Sequence, residues 1–280
     1  MSGTVRARVQ AMFPGVSGRR LKQWLERGRV RVNGAIVRRG DVTVGPRDRV
    51  ELGASPPEPI PEPLRLVHED RDVVVVDKPA GLLTVADAGE RERTAYRLLR
   101  DWLERREAGR IFVVHRLDRE TSGLLVFARS PAAKNALQAQ FRGRSPERVY
   151  VARVEGAVRA DTGTLTSRLR EGRSLRVRPV GAGAGRDAIT HYRVLARDRD
   201  TTLLELALVT GRRGQIRAQL AELGHPIVGD RAYGSRRDPL RRVGLHATRL
   251  GFVHPDGRRV VFDSPPPSGL GKERIRQPGA

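Results

Sequence analysis

The sequence predicts an α+β fold, in which a large domain on a mixed, mostly antiparallel sheet follows a small α/β domain. In residues 64–268, strand-like segments outnumber helical ones without the regular alternation of a parallel βαβ sheet. The proline-rich stretch 55–63, "SPPEPIPEP", is typical of an extended spacer. We therefore expect a small domain at 1–53, a linker at 54–63, and a flexible tail at 269–280 after the large domain.

The small domain is predicted to contain one amphipathic helix and a hairpin. Ser17 is a suitable N-cap for the helix "GRRLKQWLE", and Gly28 lies where a C-terminal glycine cap is expected. Asn33-Gly34, between alternating apolar residues, is a strong signal for a tight hairpin turn. The basic helix and hairpin together suggest a surface that follows the phosphates of a nucleic acid; its candidate contacts are Arg19, Arg20, Lys22, Arg29 and Arg31. The alternative is a generic small domain with solvated charges.

The large domain is predicted to be rich in strands, with three helices. One helix is expected at "TAYRLLRDWLE", a second after the Ser130 cap with Pro131 in its first turn, and a third at "GQIRAQLAELG" ending at Gly224. The predicted strands are "LRLV", "VVVV", "IFVV", "LLVFA", "VYVARV", "TLTSRL", "ITHYRVLA", "TLLELALV", "LHATRLGFV" and "RVVFD".

The charge of the chain favours a polyanionic partner. Lys and Arg number 54 against 32 Asp and Glu, which gives a net charge of +22. Such an excess favours nucleic acid, through neutralisation of phosphates and release of counterions. Nearly all of the basic residues are arginine, which suits bidentate phosphate contacts, although a codon bias toward arginine explains that choice equally well.

Several classes of protein are excluded or disfavoured by composition. The chain has no cysteine, so disulfides, thiolate metal sites and cysteine nucleophiles are excluded. Its 6 histidines are scattered, with none at the spacing of a zinc-binding helix. No apolar run has the length of a membrane span, and the N-terminus lacks the apolar core of a signal peptide. We expect a cytoplasmic protein without a metal.

The polar stretch "HRLDRETSG", residues 115–123, lies between two apolar runs that read as buried strands. A polar loop between core strands is a common place for a side chain that must be rigid and reachable. Asp118 is a turn residue, a partner in an ion pair or a catalytic carboxylate on this evidence. A triad using Ser122 and His115 is conceivable, but no G-x-S-x-G elbow accompanies it.

Two later segments supply possible partners for Asp118. Tyr150 lies in the strand-like stretch "RVYVARVEG", where packing is the simplest role for an aromatic side chain. Arg217 borders the apolar stripe of the third predicted helix of the large domain, and a buried arginine needs a carboxylate. We therefore expect an Asp118–Arg217 ion pair, which the spacing alone does not prove.

Taken together, these segments resemble the motifs of the RluA-type RNA pseudouridine synthases. The most specific is "VHRLDRETSGLLVFA" at residues 114–128. The supporting motifs follow in the family's order: "VVVVDKPAGLLT", "RVYVARVEG", "TGRRGQIRAQLAELGHPIVGDRAYG" and "LHATRLGFVHP". The first fifty residues resemble the S4 RNA-binding domain, a common companion of this family.

The resemblance implies the pseudouridine synthase fold and an enzyme that isomerises uridine in RNA without cofactor or metal. Matched by motif, Asp118 is the essential catalytic aspartate, Tyr150 the tyrosine against the base, and Arg217 the basic partner of the aspartate. His115 and Arg116, beside the aspartate, are candidate RNA contacts, and Arg116 is suited to fill the gap that a flipped uridine leaves.

The chain departs from the family at two positions. Gly214 stands before "QIR" where histidine is common, and Gln219 stands where histidine is frequent. Because of this glycine, the alternative hypothesis stays open that the chain is an inactive relative, which binds RNA or assists ribosome assembly without catalysis. A hydrolase using Asp118 as nucleophile is a third hypothesis. Ribosomal RNA is the favoured substrate because S4-like modules often accompany ribosomal targets. Transfer RNA is the alternative substrate. We expect the protein to be a monomer.

Overall fold

The computed structural model describes residues 3–53, 59–172, 177–181 and 184–270. The chain divides into two units, Met1–Pro59 and Ile60–Ala280, so the division lies within the proline-rich stretch. Linker residues 54–58 and tail residues 271–280 lie outside the described residues. No helix in the described part of the chain is long and apolar enough to cross a membrane.

In its described residues, the N-terminal unit contains two helices and five short strands. Ser17 caps the second helix, accepting a hydrogen bond from Arg20 N at 3.2 Å, and Asn33 and Gly34 turn the hairpin with positive φ, as predicted. The elements are β1 (Gly3–Thr4), α1 (Val5–Met12), α2 (Gly18–Glu26), β2 (Val30–Val32), β3 (Ala35–Ile36), β4 (Thr43–Val44) and β5 (Val50–Leu52). Strands β3, β2 and β5 form one sheet in that order, and β1 pairs with β4.

Helix α1 was not predicted, because its sequence carries a weak helical pattern. In "VRARVQAM" the core receives only Val5 and Val9, one turn apart, and arginines separate them. Its start depends on Thr4, whose hydroxyl accepts a hydrogen bond from Ala7 N at 3.2 Å. Packing of Val5 and Val9 with Leu21, Leu25 and other residues of this unit stabilises the helix.

The second unit is built on an 11-stranded sheet. Its strands are β6 (Arg65–Glu69), β7 (Val73–Lys78), β8 (Phe112–Val113), β9 (Ser122–Ala128), β10 (Glu147–Glu155), β11 (Thr162–Glu171), β12 (Val177–Pro179), β13 (Arg186–Arg197), β14 (Thr201–Leu208), β15 (Leu245–Val253) and β16 (Arg259–Asp263). The order is β12-β11-β13-β14-β10-β15-β9-β7-β6, with β16 on β15 and β8 on β9. Every pairing between the described strands is antiparallel except β9 with β15, which confirms the predicted mixed, mostly antiparallel sheet.

Helices cover both faces of this sheet. They are α3 (Ala95–Arg105), α4 (Pro131–Gly143) and α5 (Gln215–Glu222), followed by a 3-10 turn at Arg231–Tyr233. Successive residues of a strand face opposite sides. Val74 and Val76 of β7 accordingly pack in one core cluster with α3 and α5, whereas Val73 and Val75 pack in another with α4. Burial on both faces explains why β7 and β9 read as continuous apolar runs.

The strand predicted for "IFVV" is shorter in the structure. Only Phe112 and Val113 pair with β9, opposite Ala128 and Phe127. One position further along β9, Val126 N donates a hydrogen bond to His115 Nε2 at 3.2 Å, so a side chain takes the place of the next strand residue. The polar loop therefore begins at Val114, directly at the edge of β9.

Candidate active site

The loop carrying Asp118 is fixed on both sides of that residue. Leu117 N donates to Thr84 Oγ1 at 3.1 Å, and the same hydroxyl donates to Leu117 O at 2.9 Å. Gly81 N donates to Arg119 O at 2.8 Å. Both partners belong to the segment that follows β7, so the loop is tied to a buried central strand rather than left exposed and mobile.

Lys78, the last residue of β7, anchors the same segment from inside the protein. Its side chain is fully buried, and its ammonium donates to Leu82 O at 2.7 Å, Pro79 O at 2.9 Å and Arg119 O at 3.3 Å. Burial lowers the pKa of Lys78 to about 7, although the negative charges of Asp118 and Glu120 oppose that change. Lys78 thus stabilises the backbone on the C-terminal side of Asp118.

The exit of the loop is fixed by close contact between β9 and β15. Gly123 has φ of 114°, and a Cβ there would lie 2.3 Å from Ala247 O, so only glycine fits. Beside it, Ser122 Oγ lies 2.7 Å from His246 Nδ1 and accepts a hydrogen bond from Arg242 Nη2 at 2.6 Å. The buried Ser122 therefore pairs with His246, not with His115 as a triad of those two residues would require.

Asp118, Tyr150 and Arg217 line one cleft, together with Arg116. The apolar side chains of Leu208, Ile216 and Leu245 form part of its wall. The Asp118 side chain is 20% exposed and that of Arg217 13%, so both are shielded yet reachable from the cleft. Three side chains from the 115–121 loop, β10 and α5, far apart in sequence, thus meet at one opening.

Arg217 holds two carboxylates. Its Nε and Nη2 donate to Asp230 Oδ2 and Oδ1 at 2.6 and 2.8 Å, and its Nη1 lies 3.9 Å from Asp118 Oδ2. Burial lowers the pKa of Arg217, but hydrogen bonds and charge attraction from Asp230 outweigh it and raise the pKa overall. The expected Asp118–Arg217 contact is present at the long end of ion-pair distance, whereas the bidentate partner, Asp230, was missed by sequence reasoning.

Tyr150 projects from β10, whose neighbours in the sheet are β14 and β15. Its side chain is 8% exposed. Burial raises the pKa of Tyr150 to about 12; Arg148 opposes this change, and the negative charge of Asp118 adds to it. At neutral pH the phenol is therefore protonated, which makes it a hydrogen-bond donor and an apolar ring surface rather than a base.

Comparison with known proteins identifies the family to which a chain with these site residues belongs. The sequence profile of a family described as "RNA pseudouridylate synthase" matches residues 72–222, more than half of the chain. The chain belongs to this family. The enzyme is thus an RNA pseudouridine synthase, an intramolecular isomerase, as its motifs predicted.

Relatives extend the similarity over almost the whole enzyme. "Ribosomal large subunit pseudouridine synthase D" of Neisseria meningitidis is 35% identical, covering 96% of this chain and 77% of the relative. The protein of the same name from Pseudomonas aeruginosa is 36% identical, covering 91% and 86%. Among solved structures, "Human RNA Pseudouridylate Synthase Domain Containing 1" superposes with a TM-score of 0.61 at 26% identity, covering 75% of this chain and 86% of that one. The pseudouridine synthase fold predicted from the motifs is therefore confirmed.

A buried polar network holds helix α5 of the enzyme, and with it Arg217. Gln215 accepts from Thr210 Oγ1 at 2.8 Å and donates to Thr190 Oγ1 at 2.9 Å. Thr190 in turn donates to Gln219 Oε1 at 2.7 Å, and Gln219 Nε2 donates to Ala188 O at 3.0 Å. Gln219, one of the two departures from the family pattern, is therefore a fully engaged structural residue in this chain.

Gly214, the other departure, begins α5 in the left-handed region with φ of 56°. A Cβ at this position would lie 2.8 Å from the hydroxyl of Tyr233. That hydroxyl accepts a hydrogen bond from Val177 N at 3.2 Å, and the Tyr233 ring lies 4.8 Å from the guanidinium carbon of Arg217. In this enzyme Tyr233 thus fills the space that a side chain at 214 would need.

His115 and Arg116, the predicted RNA contacts of the loop, differ in their surroundings. His115 stacks on Phe141 with ring centroids 4.5 Å apart and accepts a hydrogen bond from Val126 N. Burial lowers the pKa of His115 to about 3, so the imidazole is neutral. Arg116 is exposed at the cleft and makes no hydrogen bond or ion pair with any residue that the structure describes.

The remaining predicted RNA contacts belong to the N-terminal unit. Arg19, Arg20 and Lys22 are exposed on α2, and Arg29 and Arg31 are half-buried. The guanidinium carbons of Arg20 and Arg29 each lie 5.7 Å from the centre of the Trp24 ring. Arg29 also donates from Nε to Gly53 O at 3.0 Å. The unit thus presents clustered basic side chains around one aromatic ring.

Proposed function

We propose that this enzyme converts uridine to pseudouridine in RNA of the ribosomal large subunit, with Asp118 as its catalytic carboxylate. The observation that carries the proposal is the meeting of Asp118, Tyr150 and Arg217 at one cleft. The target RNA is inferred from relatives named ribosomal large subunit pseudouridine synthase and from the net charge of +22.

The reaction must break the bond between N1 of uracil and C1′ of the ribose, turn the base, and join C5 to C1′. C5 then loses its proton and N1 gains one, so the composition of the RNA is unchanged. A carboxylate serves this sequence as a nucleophile on sugar or base, or by stabilising positive charge on the ribose. Asp118 suits each of these roles because its loop is fixed on both sides and its oxygens are reachable. The cation of Arg217, itself held by Asp230, stabilises the negative charge of Asp118 and orients it.

Tyr150 supplies a surface for the extruded base. Its buried ring offers a stacking face for uracil, and its protonated hydroxyl is a donor toward a carbonyl oxygen or a developing negative charge. Apolar Leu208, Ile216 and Leu245 limit water in the cleft. Exclusion of water favours return of the base to the sugar over hydrolysis to free uracil.

Arg116 is the candidate for the space that the uridine vacates. It lies two residues before Asp118, is exposed at the cleft mouth and has no partner among the described residues. Stacking on neighbouring bases or holding a phosphate stabilises the flipped state. Arg116→Ala should therefore lower the single-turnover rate or the RNA affinity, and a variant with both unchanged contradicts this role.

The test of the proposed function is site-by-site carbodiimide mapping of pseudouridine in ribosomal RNA from cells with and without the gene. We expect one or a few large-subunit positions to lose their signal and to regain it with the wild-type gene but not with Asp118→Ala. A second experiment is to incubate the purified enzyme with the same RNA in vitro and to measure the mass of the RNA, which isomerisation leaves constant. Loss of signal only in transfer RNA would overturn the ribosomal assignment, and release of free uracil would overturn isomerisation.

A further inference from the structure

Arg148 is a buried cation close to the active site. It lies on β10 two residues before Tyr150. Arg148 is 9% exposed, and its guanidinium carbon lies 5.8 Å from the centre of the Phe141 ring. Among the residues that the structure describes, no carboxylate lies within ion-pair distance of it. Burying a charge without a counter-charge destabilises a protein, so a buried Arg148 needs a physical explanation.

The hydrogen bonds of Arg148 leave much of its guanidinium unused. Its Nη2 donates to Val209 O at 3.2 Å and is 3.5 Å from Leu208 O. Its Nε is buried without any partner, and Nη1 makes no hydrogen bond within the described ranges. A guanidinium carries five N–H donors in a fixed fork, and buried donors left unpaired are destabilising.

The unused end of Arg148 points at the wall of the cleft. A Cβ built on Gly211 would lie 2.3 Å from Nη1, so the guanidinium sits directly behind that residue. Gly211 lines the same cleft as Asp118 and Tyr150. Because the residue at 211 has no side chain, Nη1 lies in the space that a Cβ there would take, against a residue of the cleft wall.

We propose that Arg148 binds a phosphate oxygen of the RNA strand at the target nucleotide through Nη1, beside Gly211 of the cleft wall. This inference rests on the proposed function, since it needs an RNA strand in the cleft. Phosphate is the anion that every nucleotide carries, and a guanidinium matches it with paired charge-assisted hydrogen bonds. An arriving phosphate supplies both the missing counter-charge and acceptors for the unused donors.

The electrostatic surroundings agree with this role. Burial lowers the pKa of Arg148, and the nearby cation of Arg144 lowers it further, although Tyr150 opposes the change. The environment therefore disfavours the charge as long as no anion is bound. Docking of RNA relieves that penalty, which makes the site specific for a phosphate placed at this point of the strand.

A purely structural role is the competing explanation, because Arg148 also clamps the end of β14 and packs on Phe141. A single substitution of Arg148 would remove both roles together and could not distinguish them. The discriminating experiment pairs the Arg148→Gln variant with RNA substrates in which one phosphate near the target uridine is a neutral methylphosphonate. Single-turnover reactions give the half-saturating enzyme concentration and the maximal rate for each combination.

We expect one methylphosphonate position to raise the half-saturating concentration of the wild-type enzyme about tenfold or more, the size of one charge-assisted hydrogen bond. Arg148→Gln should weaken binding of the unmodified RNA by a similar factor. In that variant, the same methylphosphonate should have almost no further effect. Effects that multiply independently at every position tested would overturn the proposal, since a structural clamp does not sense one phosphate.

Two further variants keep the result interpretable. Arg142→Gln removes an exposed arginine of α4 that has no partner within the described part of the chain, and the methylphosphonate effect should persist there in full. Gly211→Ala retains the charge of Arg148 but places a methyl group against Nη1, and it should reduce the methylphosphonate effect even if Arg148→Gln fails to fold. Wild-type behaviour of Gly211→Ala would overturn the proposed contact between Nη1 and the phosphate. Because any RNA that the wild type modifies serves as substrate, failure of the ribosomal assignment stays distinguishable.

Discussion

At the scale of single residues, the site depends on how charges are buried. Arg217 is fixed by two short hydrogen bonds to Asp230, and only its remaining nitrogen lies near Asp118. Asp230 is 1% exposed, so its carboxylate has no solvent to replace Arg217 as a partner. Asp230 is therefore a positioning residue, which sets where the cation faces the carboxylate of Asp118.

Asp230→Asn should lower both stability and rate. Breaking a buried ion pair while leaving one charge behind destabilises a protein by about 3–5 kcal/mol. We also expect a lower single-turnover rate at saturating RNA, because Arg217 loses its orientation, with RNA affinity little changed. Asp263→Asn is the control, since Asp263 pairs with Arg249 on the surface and should affect neither quantity. A stable fold with wild-type rate in Asp230→Asn contradicts the positioning role.

Lys78 predicts a pH dependence of stability. Its pKa is about 7 in the folded protein against 10.5 in an unfolded chain, so between these values the unfolded chain binds more protons. The free energy of unfolding should therefore rise with pH above 7, with a slope from this group of at most about 1.4 kcal/mol per pH unit. Urea unfolding at pH 7, 8 and 9 should show this rise in the wild type and a flatter profile in Lys78→Met. Equal slopes in both proteins would refute the assignment.

At the scale of secondary-structure elements, the parallel contact of β9 and β15 sets the end of the loop that carries Asp118. His246 lies opposite Ser122 and Ala247 opposite Gly123, the one parallel pairing in the described sheet. The close backbone approach is possible only without a side chain at 123. The loop that begins at Val114 is therefore fixed at its exit by backbone contact as well as by hydrogen bonds.

Gly123→Ala should disrupt this contact. The added methyl group meets Ala247 backbone, which cannot rotate away, and the φ of 114° is unfavourable for alanine. Gly81→Ala is a matched control, because Gly81 also has positive φ but open space around its Cβ position. Thermal unfolding should show a several-fold larger loss of Tm for Gly123→Ala. If the two variants show the same decrease in Tm, the steric explanation is wrong.

At the scale of the whole molecule, the two units divide binding and chemistry in our proposal. The described core residues of the large unit come from 60 onward, so that unit has its own apolar core. The N-terminal unit has a separate core beneath α2, and its basic residues Arg19, Arg20 and Lys22 are exposed; in our proposal they contact RNA phosphates. Affinity for structured RNA is therefore expected to depend on both units, and isomerisation on the large one.

Removal of residues 1–53 should weaken binding of structured RNA and reduce its salt dependence. Each lost phosphate contact lowers the slope of log K against log salt by about 0.7–0.9. The single-turnover rate on a short, saturating RNA should stay close to wild type. A full-length variant with Arg19, Arg20 and Lys22 changed to Gln should reproduce the smaller slope with the unit intact. An unchanged affinity in both proteins contradicts the division of labour.

The sequence by itself determined the fold class, most elements of the large sheet and the identity of the reaction. Strand runs, caps such as Ser130 with Pro131, and the turn at Asn33-Gly34 are local signals, and each is confirmed in the structure. The family motifs are likewise short continuous segments, so they can be recognised from the sequence without knowledge of the fold. Helix α1 was missed because packing with α2, rather than its own pattern, stabilises it.

Only the tertiary structure decided which charges meet. Asp230 lies 13 residues beyond Arg217, and nothing in its spacing marks it as the bidentate partner. The position of the Arg148 guanidinium behind Gly211, with no carboxylate partner among the described residues, is likewise invisible in sequence, because it depends on how β10 and the loop after β14 pack together. Short-range patterns fix local backbone geometry, whereas burial and pairing of charge are set by residues brought together from distant parts of the chain.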